Sequence, residues 1–311
     1  MAAYRELHRR GKLRERVETA LSVLGSCSVC PRSCAVNRLA GDAGECRTSR
    51  RAVVSSYGVH FGEEAPLVGK HGSGTIFFAN CNLECVFCQN YSISQLGEGR
   101  IIGKEELAYM MLSLQGEGCH NINLVSPTHV VPQILEALEL AVQSDLKLPL
   151  VYNSGGYDSV ETLKLLDGIV DIYMPDMKYD DEETARELSG INNYPQANRA
   201  AVKEMHRQTG DLEINEGGVA QRGLLIRHLV LPSGLAGTKT ITRFVSEEIS
   251  RDSYMNIMAQ YRPYYKAPQS AGLGRRITSA EFHEALLFAQ EAGLRRLDRV
   301  RLTEALPTLS E

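Results

Sequence analysis

The stretch GTIFFANCNLECVFC, residues 74–88, joins a short apolar run to three closely spaced cysteines. The apolar run predicts a buried strand that leads directly into a loop. The cysteines of this loop are Cys81, Cys85 and Cys88, in the spacing CxxxCxxC. A compact loop with three thiolates can bind three irons of a four-iron cluster and leave the fourth iron open to a non-protein ligand.

A zinc site is the alternative interpretation of residues 81–88. Zinc would need a fourth ligand from elsewhere in the chain, such as His60 or His71. The spacing CxxxCxxC is unusual for zinc, which is typically held by one C-x₂₋₄-C unit paired with a second. The loop, which we name the cluster loop, therefore favours an iron–sulfur cluster over zinc.

Five further cysteines lie outside the cluster loop. Cys119 stands alone, and the other four form what we name the N-terminal cysteine group: Cys27, Cys30, Cys34 and Cys46. Four thiolates can close a tetrahedral zinc site or fill every corner of an auxiliary [4Fe–4S] cluster. Both occupants stay open, with a slight preference for zinc or a structural cluster over an electron relay.

The composition is that of an ordinary globular protein. The chain has 311 residues, 43% of them hydrophobic, and its 34 basic and 38 acidic side chains give a formal charge of −4. This balance removes the main electrostatic reason to expect nucleic acid or an anionic membrane as a partner. No apolar run reaches the roughly 20 residues of a membrane span, and residues 1–20 lack the apolar core of a signal peptide. We therefore expect a cytoplasmic protein, where clustered cysteines bind metal more often than they form disulfides.

Short apolar strands alternate with amphipathic helices after residue 70. Six main strands are predicted, at GTIFFAN, HNINLVSP, LPLVYN, IVDIYMPDMK, GLLIRHLVLPSG and YMNIMAQY. Repeated βα units favour a parallel sheet, and six of them fit a partial (β/α)6 barrel of TIM type in an α/β fold. We expect two parts: residues 1–66, with one solvated helix and the N-terminal cysteine group as a metal-binding knuckle, and residues 67–311, with the barrel and a C-terminal helix.

Reactive side chains of such barrels cluster at the carboxyl ends of the strands. The candidates at these ends are Thr128 after the second strand, Asn153 and Gly155 after the third, Asp176 and Lys178 after the fourth, and Arg227 in the fifth. A cation at a strand end can pair with a carboxylate ligand, and an acid can hold that cation in place. Ordinary turns and structural salt bridges are the alternative interpretation of these residues.

The cluster loop resembles the CxxxCxΦC signature of radical S-adenosylmethionine (SAM) enzymes, with Phe87 at the aromatic position. The resemblance implies that Cys81, Cys85 and Cys88 hold a [4Fe–4S] cluster whose open iron is chelated by SAM. In that family the cluster gives one electron, SAM is cleaved, and a 5′-deoxyadenosyl radical removes a hydrogen atom from the substrate. The resemblance also implies the partial barrel and a reductant such as flavodoxin or ferredoxin.

Three strand-end segments resemble those of pyruvate formate-lyase-activating enzymes. The segment 153–157 is similar to their DTNG-type segment, with Asn153 in place of the aspartate that meets SAM. The segment 176–178 resembles their DxK motif, and 227–232 resembles their RYVVVP segment. The segment SPTH at 126–129 departs from the glycine-rich GGE-like segment of many members. The resemblance implies SAM contacts from Phe87, Thr128, Asn153, Gly155, Asp176 and Lys178, and catalytic roles for Lys178 and Arg227.

These features predict a radical SAM enzyme similar to an uncharacterised, PflX-like subgroup related to the activating enzymes. Its expected reaction is hydrogen abstraction from a protein or peptide, including the activation of a glycyl-radical enzyme. The charge balance also fits a small-molecule substrate. Two other classes stay open, a non-catalytic iron–sulfur electron-transfer protein and a zinc-stabilised interaction protein. The long barrel with its strand-end acids and cations favours the enzyme.

Overall fold

A computed structural model gives the fold and describes residues 2–298. The strands of this part of the chain are β1 (Ala52–His60), β2 (Ser73–Phe78), β3 (Arg100–Ile102), β4 (Ile122–Val125), β5 (Leu150–Ser154), β6 (Ile172–Pro175), β7 (Glu213–Ile214), β8 (Ala220–Leu229), β9 (Tyr254–Met258) and β10 (Arg296–Leu297). The last residues of the expected second part, 299–311, lie outside the described residues.

Six strands form the parallel core of the fold. Strands β2, β4, β5, β6, β8 and β9 pair in this order, each parallel to its neighbour. Strand β10 continues the parallel arrangement beyond β9, whereas β1 and β3 extend the opposite edge in antiparallel pairing. Within residues 2–298 the sheet follows an open path from β3 to β10. The expected partial barrel of an α/β fold is confirmed.

Helices connect these strands. Those of the described residues are α1 (Tyr4–Arg9), α2 (Lys12–Ser22), α3 (Ala65–Val68), α4 (Tyr91–Ser94), α5 (Lys104–Gly116), α6 (Val131–Gln143), α7 (Val160–Leu165), α8 (Glu182–Ser189), α9 (Tyr194–Thr209), α10 (Thr238–Phe244) and α11 (Ser279–Glu291). Local sequence explains their ends: Asp181 caps α8 by accepting a hydrogen bond from the Thr184 backbone N–H at 2.7 Å. In the part of the chain described here, no helix combines the length and apolar character that crossing a membrane requires.

The barrel interior changes from apolar to polar along the strands. Side chains alternate between the two faces of a strand, so residues two apart share a face. Val151 of β5 and Leu225 of β8 pack with Leu67 of α3 in one buried apolar cluster. Two residues further along, Asn153 and Arg227 are hydrogen-bonded to each other at 2.8 Å. The polar layer therefore lies toward the carboxyl ends of the strands, where reactive side chains of such barrels cluster.

The N-terminal region packs against the barrel and differs from the expected single solvated helix. It contains two helices, α1 and α2, which are separated at Gly11 with φ of +71°. Tyr4, Leu13 and Val17 are buried, and the Tyr4 hydroxyl donates to the Leu148 carbonyl at 2.8 Å. The single amphipathic helix expected here is instead two helices, because the glycine interrupts the helix, and the apolar face of each is covered.

The sheet also includes residues that precede position 67. Strand β1 begins at Ala52 and pairs with β2 from Val54 to His60. It pairs with β3 on its other side. The division into 1–66 and 67–311 stays a prediction, with β1 joining the first segment to the barrel sheet.

Candidate active site

The cluster loop follows the carboxyl end of β2 and is held by backbone hydrogen bonds from two other segments. The Glu84 N–H donates to the Ser189 carbonyl at 3.0 Å, and the Val86 N–H donates to the Leu188 carbonyl at 2.9 Å. The Val86 carbonyl in turn accepts from the Lys266 N–H at 2.9 Å. These bonds fix the loop between the end of α8 and the segment that follows β9.

Each thiol of the cluster loop has a hydrogen-bonding neighbour. The Ser189 hydroxyl donates to Cys85 Sγ at 3.0 Å, and the Ser94 hydroxyl lies 3.1 Å from Cys88 Sγ. Cys81 Sγ accepts from the backbone N–H two residues further along, at 3.4 Å. Hydrogen bonds to cysteine sulfur are one of the means by which proteins tune iron–sulfur clusters. The surroundings of the three thiols therefore suit sulfur ligands that carry negative charge.

Burial and neighbouring charge act on the acidity of these thiols. Burial, with the nearby Cys85 sulfur, raises the pKa of Cys81 to about 12. Burial also raises the pKa of Cys85, although the Lys178 ammonium opposes this effect. Cysteine binds metal as the thiolate, so metal binding at this loop must release the thiol protons. Lys178 is close enough to favour the thiolate form of Cys85.

A partly buried ion network lies at the ends of β5, β6 and β8. The Arg227 guanidinium donates to Asp176 Oδ1 at 2.9 Å and to Asn153 Oδ1 at 2.8 Å. The Lys178 ammonium donates to Asp176 Oδ2 at 2.6 Å. A parallel β-bridge also joins the backbones of Asp176 and Arg227. Four of the residues named from the sequence are therefore brought together, and Asp176 is the acid that holds both cations.

The network keeps its charges in spite of burial. Burial opposes ionisation of Asp176, but the Arg227 and Lys178 cations lower its pKa below the usual value. Burial likewise opposes the charge on Lys178 and on Arg227, yet the Asp176 carboxylate raises the pKa of both. Two cations and one anion therefore leave this group of three residues with one positive charge. Such a group suits the binding of a carboxylate.

The family model of the Radical SAM superfamily matches residues 75–215, which include the cluster loop, Asn153, Asp176 and Lys178. Over 288 residues the chain is 34% identical to the uncharacterized protein MJ0674 of Methanocaldococcus jannaschii, covering 90% of this chain and 78% of that protein. The chain belongs to the radical SAM superfamily. Its family implies a [4Fe–4S] cluster and SAM as cofactors.

A solved radical SAM methyltransferase shares the fold. A radical SAM methyltransferase from Sphaerobacter thermophilus matches with a TM-score of 0.50 and 14% identity, over 72% of this chain and 64% of that one. Streptococcus suis SuiB, bound to its precursor peptide SuiA, matches with a TM-score of 0.49 and 12% identity, over 73% of this chain and 48% of that one. The present chain therefore spans less than two thirds of the length of either solved protein.

The radical SAM cofactors fit the residues that the fold brings together. Three thiols share one short loop and have hydrogen-bonding neighbours, as ligands of a cluster require. Among residues 2–298 no three His, Cys, Asp or Glu side chains are grouped so that they could hold a metal ion. An iron–sulfur cluster does not require such a group, because each thiolate binds a different iron.

Gly155 and Phe87 also lie beside the cluster loop. A Cβ atom on Gly155 would lie 2.6 Å from Leu83 Cδ1, so the glycine lets the end of β5 approach the loop closely. Phe87 is buried and makes edge contacts with Tyr179 and Tyr261, whose ring centroids lie 6.4 and 5.9 Å away. Both residues are therefore placed at the loop, and their contacts with SAM stay predictions.

Thr128 belongs to a different buried network. Its hydroxyl donates to Asp158 Oδ1 at 2.7 Å, and the Tyr152 hydroxyl donates to the same oxygen at 2.8 Å. Ser154 donates to the other oxygen of Asp158 at 2.7 Å. The Thr128 hydroxyl is therefore already hydrogen-bonded within the protein. Its role in SAM binding stays a prediction.

Glu63 and Glu64 are site residues that the sequence did not reveal. Both are close enough to raise the pKa of Arg227, together with Asp176. Glu64 Oε1 accepts from the Asn256 side chain at 3.0 Å, while its Oε2 is buried and has no hydrogen-bond partner among the described residues. The two acids precede α3, on the amino-terminal side of β2, so a reading of strand carboxyl ends passes over them. No signal in the sequence places them beside Arg227.

The N-terminal cysteine group comes together around a cavity. All four of its cysteines line this cavity: Cys27, Cys30, Cys34 and Cys46. The cavity is also lined by Arg38 and by His129. Burial, with the three neighbouring sulfurs, raises the pKa of Cys30 to about 12. The knuckle expected from the sequence thus gathers its four thiols, with Arg38 and His129 among the basic side chains that line the same cavity.

Two arginines connect the N-terminal cysteine group to the cluster loop. Arg32, between Cys30 and Cys34 in the chain, donates to the Asn82 carbonyl at 2.7 Å. Arg47, which follows Cys46, donates to the Ser94 carbonyl at 2.6 Å, and the Ser94 hydroxyl lies beside Cys88. The two cysteine groups are therefore neighbours, and each arginine fixes one against the other.

Proposed function

We propose that this chain cleaves SAM reductively and abstracts a hydrogen atom from a protein or peptide. The observation that carries the proposal is the placement of the cluster loop beside the Asp176 ion network. Lys178 belongs to that network and also acts on the Cys85 thiol. One side chain thus links the expected cluster ligands to the expected SAM site.

The proposed ligands of the [4Fe–4S] cluster are Cys81, Cys85 and Cys88. Ser189 and Ser94 orient the second and third sulfurs through their hydroxyl groups. Bound together, the cluster and SAM would supply a carbon-centred radical that can remove hydrogen from an unactivated carbon. An electron donor such as flavodoxin or ferredoxin would reduce the protein.

The proposed SAM contacts are Phe87, Thr128, Asn153, Gly155, Asp176 and Lys178. Lys178 and Arg227 would bind the carboxylate of SAM as cationic hydrogen-bond donors. Asp176 would keep both cations in place when SAM is absent. Burial of the three residues would strengthen this pairing, because charges attract more strongly where water is excluded.

The proposed substrate class follows the likeness of segments 153–157, 176–178 and 227–232 to activating enzymes that act on proteins. Activation of a glycyl-radical enzyme is one reaction of this type. The N-terminal cysteine group would hold a second metal site, with zinc or iron and sulfide as its occupant. The fold alone does not determine the substrate, because related barrels carry different substrate sites.

The test is SAM cleavage by the anaerobically reconstituted protein with a chemical reductant. We expect methionine and 5′-deoxyadenosine in equal amounts, measured by liquid chromatography and mass spectrometry. Cys85→Ala should abolish both products, because it removes one cluster ligand. Cys119→Ala is the matched control, since Cys119 is buried outside both cysteine groups and should leave cleavage intact. Absence of cleavage by protein with a full complement of iron and sulfide would refute the proposed function.

A further inference from the structure

The cavity at the N-terminal cysteine group contains an unsatisfied cation. Arg38 is 1% exposed. Its Nε donates to the Ser49 carbonyl at 3.0 Å, and its Nη1 donates to the His129 carbonyl at 2.8 Å. Its Nη2 is buried and has no hydrogen-bond partner in the described part of the chain. An unpaired N–H of a buried guanidinium destabilises the folded state. We therefore expect a hydrogen-bond acceptor in the cavity beside Arg38.

His129 contributes a second unsatisfied atom on the same cavity. It is 1% exposed, and its Nε2 lies 3.1 Å from the Ala79 carbonyl. A carbonyl only accepts, so Nε2 carries the proton. In the neutral ring Nδ1 then has a lone pair, and this atom has no partner among residues 2–298.

The two unsatisfied atoms need different hydrogen-bonding partners. Arg38 Nη2 needs an electron-rich acceptor, whereas His129 Nδ1 needs a proton donor or a metal. Arg38 Nη1 also lies 3.8 Å from Cys27 Sγ, so the guanidinium already faces one of the thiols. A sulfur-rich group in the cavity would satisfy Arg38 Nη2, while His129 Nδ1 would still accept a hydrogen bond from a proton donor such as water.

A single zinc ion would not leave a cavity among its cysteine ligands. Four thiolates at about 2.3 Å close a zinc site, which then has neither a free coordination position nor a cavity among its ligands. Here a cavity lies among all four cysteines and the two basic side chains. A four-iron cluster keeps its thiolates further apart than zinc does, because they bind separate irons, and its sulfides accept hydrogen bonds.

We propose that the N-terminal cysteine group binds an iron–sulfur cluster, with its four cysteines as ligands and Arg38 as hydrogen-bond donor to cluster sulfur. The inference rests on the second metal site of the proposed function and is independent of SAM cleavage. Arg38 is a positioning residue in this account. Its single positive charge offsets part of the negative charge that the four thiolates bring.

The test uses the full chain with Cys81, Cys85 and Cys88 all changed to Ala, which leaves the N-terminal cysteine group and the lone Cys119. The variant is reconstituted anaerobically with iron and sulfide, and iron, acid-labile sulfide and zinc are then counted. We expect about four irons and four sulfides per chain, against about eight of each in the parent chain. The EPR signal of the reduced variant should not change when SAM is added.

One zinc per chain without sulfide, or about four irons in the parent chain and none in the variant, would overturn the inference. If the variant does not fold, the count of about eight or about four irons in the parent chain still decides the question. SAM cleavage is measured separately on the parent chain. If the parent chain holds about eight irons but does not cleave SAM, the result contradicts the proposed function and leaves the inferred second cluster standing.

Arg38 has its own readout in the same background. Arg38→Met should shift the midpoint potential of the N-terminal cluster to more negative values, because the reduced cluster loses a nearby cation and a hydrogen bond. Arg38→Lys keeps the charge and should shift it less. Arg51→Met, at an exposed position, is the control. An unchanged potential in Arg38→Met would show that Arg38 supports the fold only.

Discussion

Asp176 Oδ1 accepts a hydrogen bond from the Arg227 guanidinium at 2.9 Å, and a parallel β-bridge joins the same two residues. The other carboxylate oxygen of Asp176 lies 2.6 Å from Lys178 Nζ. One acid therefore fixes two partly buried cations beside the cluster loop. In the proposed function, Asp176 holds the two cations in place, and the cations bind SAM.

Lys178→Met should weaken SAM binding. The substitution keeps the length of the side chain but removes the charge, and a hydrogen bond to a charged group is worth about 1.5–3 kcal/mol. We expect the Kd for SAM to rise roughly 10-fold or more. Equilibrium dialysis with labelled SAM on the cluster-loaded protein measures it.

The control for this prediction is Lys104→Met, an exposed position at the start of α5. It removes the same charge at a position that does not belong to the ion network. Equal SAM affinity in Lys178→Met and Lys104→Met, at equal iron content, would contradict a role for Lys178 in SAM binding.

Gly156→Ala should destabilise the protein and disturb Asp176. Gly156 has φ of +74°, and a Cβ atom there would lie 2.0 Å from the Asp176 carbonyl oxygen. The left-handed backbone alone costs about 1–2 kcal/mol for other residues, and the overlap adds to it. We expect the free energy of unfolding to fall by roughly 2–4 kcal/mol in urea titrations.

Gly116→Ala is the matched control, because a Cβ atom at the end of α5 meets nothing within 4 Å. Alanine is the better helix former, so this variant should gain up to about 1 kcal/mol. A Gly156→Ala protein as stable as the parent would show that the turn after β5 adjusts freely.

Ser189→Ala should make the cluster of the cluster loop harder to reduce. It removes the hydroxyl that donates to Cys85 Sγ at 3.0 Å, and such bonds stabilise the more negative reduced state. A loss of about 1 kcal/mol corresponds to a shift on the order of 40 mV to more negative potential. Redox titration monitored by EPR measures the shift, with Ser144→Ala at an exposed position as the control. A potential equal to that of the parent would rule out this hydrogen bond as a tuning element.

His228 should make the fold sensitive to acid. Burial lowers the pKa of His228 to about 4, and its ring nitrogens lie 2.7 Å from the Met177 carbonyl and 2.8 Å from the Thr238 hydroxyl. In the unfolded chain a histidine takes up its proton near pH 6.5. Because the unfolded state binds that proton first, stability falls as the pH drops from about 6.5 to about 4.

The full effect is roughly 3 kcal/mol, and His228→Asn should remove most of this pH dependence. Urea unfolding at several pH values between 4 and 7.5 measures it, and His283→Asn at an exposed position of α11 controls for the substitution. An unchanged slope of stability against pH in His228→Asn would assign the acid sensitivity to other groups.

The sequence predicted the barrel and the main ion network because both depend on local patterns. Each of the six parallel strands is a short apolar run, and Asp176, Lys178 and Arg227 lie at or near the ends of such runs. Parallel strands place their carboxyl ends at one edge, so the three residues were expected to be neighbours.

Other parts of the site depend on distant contacts and could not be predicted in this way. Ser189 reaches Cys85 from the end of α8, and Glu64 comes to the interior from the segment before α3. Arg38 and His129 meet at one cavity from positions 91 residues apart. The residue types alone do not reveal these contacts, because serine, glutamate and arginine are most often exposed.

The most direct test of the account is ENDOR spectroscopy on the reduced, cluster-loaded protein with SAM labelled by ¹⁵N at its amino group. The account predicts a nitrogen coupling to the cluster of Cys81, Cys85 and Cys88, because three protein ligands leave one iron open to SAM. Cys119→Ala should show the same coupling. A fully loaded parent protein whose EPR and ENDOR spectra do not change with labelled SAM would contradict the account.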